Sequence, residues 1–200
     1  PDPLAEKYPQ FSPYAHCAGN PLRYVDRDGK KVRFAANASN EFKNHFSTAI
    51  RILNHHGVGG IFKALESRKE IITIAEGDKN SFSPKNRTII WNPKEGMITD
   101  NLSFLSPTTF LNHEGAHALR FLEDPKGIIR DQETTVANYG NLEEKRVIQG
   151  IEQQTAEALG EVKKGEPTRN NHFGTKMEVS GPDSNINKNE IIIQPKSLKQ

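Results

Sequence analysis

Along residues 31–36, Val32, Phe34 and Ala36 alternate with Lys31, Arg33 and Ala35, the two-residue period of a half-buried strand. From Ser39-Asn40-Glu41 the period lengthens. Phe42, Phe46, Ala49, Ile50 and Leu53 fall on one helical face that ends near Gly57, and a short helix follows over residues 60–67. Strands are predicted at 70–75 and 87–91, separated by the polar loop 76–86. Ser106-Pro107 places an N-cap serine before a first-turn proline. The helix it opens runs to about Glu123, where Asp124-Pro125 stops it. Residues 126–140 hold few aliphatics and read as loop. Residues 142–149 and 151–159 are helical in pattern, with Gly150 between them and Gly160 as a C-cap; short strands are expected at 177–179 and 190–193. The mixture predicts an α+β fold with a small sheet beside the 106–123 helix.

The first thirty residues follow another pattern. Pro1, Pro3, Pro9, Pro13 and Pro21 bar interior helix and central strand, Tyr8, Phe11, Tyr14 and Tyr24 lie between them, and Asp26-Arg27-Asp28-Gly29 closes the stretch as a turn. This predicts extended chain whose aromatics pack on a partner surface. Starting Pro1-Asp2-Pro3, the chain reads as the C-terminal piece of a longer protein. Two segments are expected: 1–30, and a globular domain over 31–200.

Composition narrows the function classes. The chain has 200 residues, 34% hydrophobic, enough for one modest core. No apolar run approaches membrane-spanning length. The single cysteine, Cys17, excludes an internal disulfide and a multi-cysteine metal site. With 27 Lys+Arg against 25 Asp+Glu, the net charge of +2 gives little support to nucleic-acid binding.

The chemistry lies in Phe110-Leu111-Asn112-His113-Glu114-Gly115-Ala116-His117-Ala118-Leu119, a His-Glu-x-x-His on a segment already read as helix. Residues four apart share a helix face, so His113 and His117 can grip one Zn²⁺. Glu114, about 100° around the helix, suits a base that deprotonates the attacking water. Leu111, Gly115, Ala118 and Leu122 make a small apolar back for close packing. Chance would give such a motif roughly 0.02 times in a chain of this composition. Two histidines leave zinc short of one protein ligand, and 118–125 supplies no third histidine. A carboxylate of the following helix is the expected source: Glu143, Glu144, Glu152 or Glu157. On one unbroken helix Glu144 and Glu152 would be about 12 Å apart along the axis, so both could not bind one ion. A break at Gly150 would let one bind and the other support a histidine from behind.

The segment Leu142-Glu143-Glu144-Lys145-Arg146-Val147-Ile148-Gln149-Gly150 resembles the Glu-Glu-x-Arg-Thr-x-Gly stretch of clostridial neurotoxin light chains and type III effector metallopeptidases. The resemblance implies a zincin fold with a second, Glu-bearing helix, a gluzincin-like zinc site of His113, His117 and Glu144, and a supporting role behind the ligands for Glu143. Glu152, with Leu159-Gly160 after it, resembles the effector Glu-Asn-x-x-Arg-x-Glu-Leu-Gly and is implied to orient a zinc-binding histidine. Arg169-Asn170-Asn171-His172 resembles the families' Arg-x-x-Tyr pair, which stabilises the tetrahedral intermediate; histidine here replaces tyrosine, after a longer spacer. Arg169 and His172 are thereby implied, with Glu114, in catalysis. Zincins also run a strand beside the metal helix that pairs with extended substrate, a role expected at 87–91.

Residues 2–29, from Asp2-Pro3-Leu4-Ala5-Glu6-Lys7-Tyr8-Pro9 through Ser12-Pro13-Tyr14-Ala15-His16-Cys17-Ala18-Gly19-Asn20-Pro21-Leu22-Arg23-Tyr24-Val25-Asp26-Arg27-Asp28-Gly29, resemble the end of an RHS-repeat-associated core. That resemblance implies a polymorphic toxin tip, secreted into the cytoplasm of a neighbouring cell. Its implied partners are an upstream RHS cage, a cognate immunity protein and a protein substrate. The expectation is a zinc endopeptidase toxin; a nuclease toxin and a non-catalytic, zinc-stabilised binding module are the alternatives.

Overall fold

The computed structural model describes residues 31–184. The RHS-like segment 1–30 and the strand expected at 190–193 lie outside the described residues. The fold is α+β.

The first sheet contains β1 (Val32–Phe34), β2 (Ile72–Glu76), β3 (Ser81–Ser83) and β4 (Thr88–Trp91), in the order β1-β2-β4-β3. β1, β2 and β4 run parallel, and β3 pairs antiparallel with β4 at the edge. Between β1 and β2 the chain forms α1 (Asn40–His55), capped by the Ser39 hydroxyl accepting from Phe42 N–H, and α2 (Gly60–Ser67). Alternation is legible in burial. Ile72, Ile74, Ile89 and Trp91 are buried on the sheet face that meets the helices, while Thr73, Ala75, Thr88 and Ile90 are only partly covered. Phe34, Phe42, Phe46, Phe62 and Trp91 meet edge-on or tilted at centroid distances of 5.2–6.4 Å, the arrangement ring quadrupoles favour.

Against this core lies α3 (Pro107–Glu123), which carries the His-Glu-x-x-His motif. Its start is doubly pinned. Ser106 Oγ accepts from Thr109 N–H, and Trp91 Nε1–H donates to Pro107 O at 2.8 Å, tying the sheet to the helix. Leu111 and Ala118 are fully buried, and Gly115 lets α2 pack closely, since a Cβ there would lie only 3.0–3.2 Å from Ile61 and Phe62 and would force them to shift. The small apolar back of the motif helix packs as its sequence predicts. A second sheet, β6-β5-β9, joins β5 (Glu95–Ile98), β6 (Phe104–Leu105) and β9 (Thr175–Glu178).

Several elements differ from expectation. The loop 76–86 contains β3. Residues 126–140 are no loop: they hold α4 (Pro125–Glu133) and the hairpin β7 (Thr135–Val136) with β8 (Gly140–Asn141). Asp124-Pro125 ends α3 and also starts α4, because Asp124 Oδ1 accepts from Gly127 N–H and Pro125 sits at the first helical position. Gly150 does not break the last helix. α5 (Leu142–Val147) passes through a π-helical turn, Ile148–Glu152, into α6 (Gln153–Leu159), which Gly160 ends at φ 75°. Among the described residues, no helix is long and apolar enough to cross a membrane.

The α6 end is tied to the motif helix by Glu161, whose carboxylate accepts from Ser106 N–H at 3.2 Å and Thr109 Oγ1 at 2.7 Å. Burial nevertheless pushes this carboxyl up to about 7, so the fold holds a proton there that the unfolded chain releases above its ordinary range. Stability from this group is present at pH 4.5 and is lost as pH rises toward 7. We expect metal-loaded wild type to lose no more than about 3 kcal/mol on this account between pH 5 and 8. Urea unfolding of Glu161→Gln should lack that component; the same pH slope in both proteins would refute it.

Candidate metal centre

Helix α3 points both motif imidazoles at the glutamates of α5 and the π turn. His113 and His117 are buried, with ring centroids 4.8 Å apart. Each turns its Nδ1 toward a fully buried glutamate: His113 Nδ1 lies 2.9 Å from Glu152 Oε2, and His117 Nδ1 lies 2.9 Å from Glu143 Oε1. A carboxylate only accepts, so both Nδ1 atoms are donors and both Nε2 atoms are left to face outward. They face each other, 3.1 Å apart. Glu144 closes the triangle, Oε2 at 3.2 Å from His113 Nε2 and Oε1 at 3.4 Å from His117 Nε2.

Two imidazole lone pairs and a carboxylate this close repel one another unless a cation or a proton lies among them. A tetrahedral ion with arms of about 2.0–2.2 Å has edges of about 3.3–3.6 Å; the His117–Glu144 separation falls in that range and the other two lie 0.1–0.2 Å below it. His113, His117 and Glu144 form a group that could hold a metal ion. Without a cation a proton does this work. Burial opposes protonation of His113, but Glu144 and Glu152 hold it up to about 10. His117 is raised likewise by Glu143 and Glu144, also against burial. Burial disfavours the Glu144 carboxylate, yet His113, His117 and His172 hold it far below the usual carboxylate range. A metal entering the group displaces the shared proton.

The two supporting glutamates are neutralised by arginines. Glu152 accepts from Arg169 Nε at 2.9 Å and Nη2 at 2.5 Å, and from the Thr168 hydroxyl at 3.1 Å. Glu143 accepts from Arg146 Nη2 at 2.6 Å and Nε at 2.9 Å, and from Arg120. Arg120 also reaches Asp131 of α4 at 2.5 Å. Burial raises both glutamates, but His117 and Arg146 bring Glu143, and His113 and Arg169 bring Glu152, down to about 2. Both are therefore firm anionic acceptors for the histidine Nδ1–H groups. Glu114, also buried, is pushed upward by burial, opposed by His113 and His117.

Of the residues singled out in the sequence, the structure brings together His113, His117, Glu144, Glu143 and Glu152 on the sides described. Arg169 reaches the centre only through Glu152: its guanidinium is buried and forked onto that carboxylate, with Nη1 3.6 Å from Met97 Sδ. This differs from the open-side role its resemblance implied, because the fork is already occupied. His172 lies at the rim, half exposed, with Nε2 3.2 Å from Glu144 Oε2 and its N–H on Asn138 O at 2.8 Å. Glu157 instead accepts from Gln153 and Gly165. Sequence reasoning missed Arg120 and Asp131. Arg120 sits three residues after His117, on the helix flank that α4 and α5 cover, and with α4 unrecognised it had no visible partner. Strand β4 has neighbours on both sides, so among the described residues the edges of the first sheet are β1 and β3, not 87–91.

The π turn explains how one helix supplies three carboxylates. In a regular helix nine residues at about 100° each would set Glu143 and Glu152 about 180° apart. Gln153 N–H bonds five residues back, to Ile148 O, and the widened turn absorbs one residue, so Glu152 returns to within about 80° of Glu143. Deleting Gly150 should therefore regularise the helix and keep all three glutamates facing α3, with metal affinity within about threefold of wild type. Deleting Gln149 and Gly150 together moves Glu152 about 100° around the axis, off His113 and onto the line of Glu143, and should cost at least about tenfold. Competition titration against a chromophoric chelator checks both; equal losses would refute the register argument.

In comparisons with known proteins, no family model, no curated protein and no solved structure matches this chain.

Proposed function

We propose that this chain is a zinc-dependent endopeptidase of zincin type, acting as the C-terminal toxin tip of an RHS-type protein. The observation that carries the reading is the convergence of both Nε2 atoms and the Glu144 carboxylate within one coordination shell, with Glu114 beside them on the same helix. Three protein ligand atoms among the described residues is the count of a catalytic zinc centre rather than a closed structural one. Nitrogen and carboxylate donors suit zinc.

When bound, zinc polarises the scissile carbonyl and acidifies the attacking water. The chain's own residues do the rest. Glu114 takes the proton of the attacking water on its carboxylate and passes it to the leaving amine. The upward push of burial makes Glu114 a stronger base than an exposed glutamate, as a group that must both accept and return a proton requires. Glu143 and Glu152 hold the imidazoles in the tautomer that presents Nε2. His172 offers a ring N–H at the open rim to the carbonyl oxygen, while Arg169 fixes Glu152. The outer edge of β3, unpaired among the described residues, whose Phe82 packs on Phe121 of α3 with centroids 5.8 Å apart, offers backbone groups to an extended peptide.

Delivery into the cytoplasm of a neighbouring cell, an upstream RHS cage and a cognate immunity protein rest on the resemblance of residues 2–29. The near-neutral charge supports a protein rather than a nucleic-acid substrate. The test is a proteome-wide survey of new protein N-termini in cells expressing wild type or Glu114→Gln. Cleavages found only with wild type, in lysates whose plasmid and RNA stay intact, are expected. Degraded nucleic acid without new N-termini would replace this reading with a nuclease.

A further inference from the structure

Among the exposed large apolar side chains, which also include Ile71, Ile129 and Leu142, Phe173 and Leu102 stand on two loops that are tied to each other and, through Arg169, to the metal centre. Phe173 is 69% exposed and Leu102 45%. Phe173 directly follows His172, whose ring touches Glu144, yet it does not belong to a loose strand. Its N–H donates to Asn171 Oδ1 at 2.7 Å, His172 N–H is held by Asn138 O, and Gly174 lies flush on β5, where a Cβ would fall 2.3 Å from Met97 Sδ. Leu102 occupies the turn between β5 and β6 at φ 55°, a left-handed conformation that bulky side chains avoid and that asparagine or glycine would adopt more cheaply. The two loops are joined, since Asn171 Nδ2 donates to Asp100 Oδ2 at 2.5 Å. They are joined to the centre too, since Arg169, between Met97 of β5 and Glu152, belongs to the same segment as Phe173. Strained backbone and exposed apolar surface at one rim mark a place where something apolar binds.

Resting on the peptidase reading, we propose that Phe173 and Leu102 are specificity-determining residues that receive a large aliphatic or aromatic side chain of the substrate, close to the scissile bond. Apolar contact of this kind discriminates substrates by about 10–200-fold. Neither side chain can coordinate a metal or carry a proton, so their loss should leave the chemistry intact.

The test is digestion of a proteome-derived peptide library by the full, zinc-loaded chain and by Phe173→Ser and Leu102→Asn. Wild type is expected to enrich Leu, Ile, Met, Val or Phe at one position within about three residues of the cut. Each variant should flatten that position and lower kcat/KM for apolar peptides by about tenfold, mainly through KM. Metal content should stay unchanged and thermal stability equal or, for Leu102→Asn, higher. Cleavage without apolar preference, or a preference unmoved in both variants, overturns the proposal while leaving the peptidase reading standing. A wild type that cuts nothing removes both.

Discussion

Glu114→Gln is expected to lower hydrolysis by about 10³-fold, within the 10²–10⁴ range of a lost general base, while the protein still binds one metal ion. Glutamine keeps the shape of the side chain and the packing of α3, but its amide cannot accept the proton of the attacking water. Glu114 is not among the three converging ligands, so metal stoichiometry should be unaffected. Its carboxyl is already disfavoured by burial in the fold, and a neutral amide removes that penalty; stability should hold or rise slightly. The decisive pair of measurements is elemental analysis of purified protein and turnover of a peptide taken from a mapped cleavage site. Full turnover by the variant would refute the assigned base. Lost turnover together with lost metal would mean that Glu114 helps bind the ion instead.

The motif helix was legible because every determinant of it is local. Ser106, Pro107, the spacing of His113 and His117, and the small residues Gly115 and Ala118 are read within one segment, and α3 runs from Pro107 to Glu123 as they imply. α4 was lost for the opposite reason. Asp124-Pro125 is one signal with two meanings, and only the Asp124 side chain folding forward onto Gly127 decides that a helix begins there. The π turn was hidden because the buried positions Glu143, Val147, Ile148, Glu152, Thr155 and Ala156 follow one another in steps of one, three or four residues, as in an ordinary helix, and only the nine-residue step from Glu143 to Glu152 is out of phase. A glycine inside that step reads as a break. Spacing made the carboxylates legible as a group, while their division into one candidate ligand and two supports came only from the resemblance of 142–150 and 152–160. That division depends on which face of α5 and α6 meets α3, and so on a backbone register that no local pattern shows. Arg120 and Asp131 needed the same tertiary information: they are charges whose partners lie on another helix.

Glu152 shows how closely stability and metal binding are joined here, and its substitution separates them. Glu152→Ala strands three groups at once: the Arg169 guanidinium, the Thr168 hydroxyl and His113 Nδ1–H, all buried. Removing one side of a buried ion pair costs about 3–5 kcal/mol, and losing the acceptor behind a ligating histidine costs about 10–100-fold in metal affinity. Both losses are expected. Glu152→Gln retains one acceptor oxygen, too few for His113, Thr168 and the two Arg169 donors together, and should fall between. The informative variant is Glu152→Ala with Arg169→Met, which removes the stranded cation along with its partner and leaves an apolar chain beside Phe110, whose ring lies 5.8 Å from the Arg169 guanidinium carbon. Stability measured by urea unfolding of the metal-free protein should recover by most of the lost free energy. Zinc affinity should not recover, because His113 still lacks the acceptor that fixes its tautomer. Recovery of both together would mean that Glu152 serves only to neutralise Arg169. Recovery of neither would place the whole effect in local unfolding of the π turn.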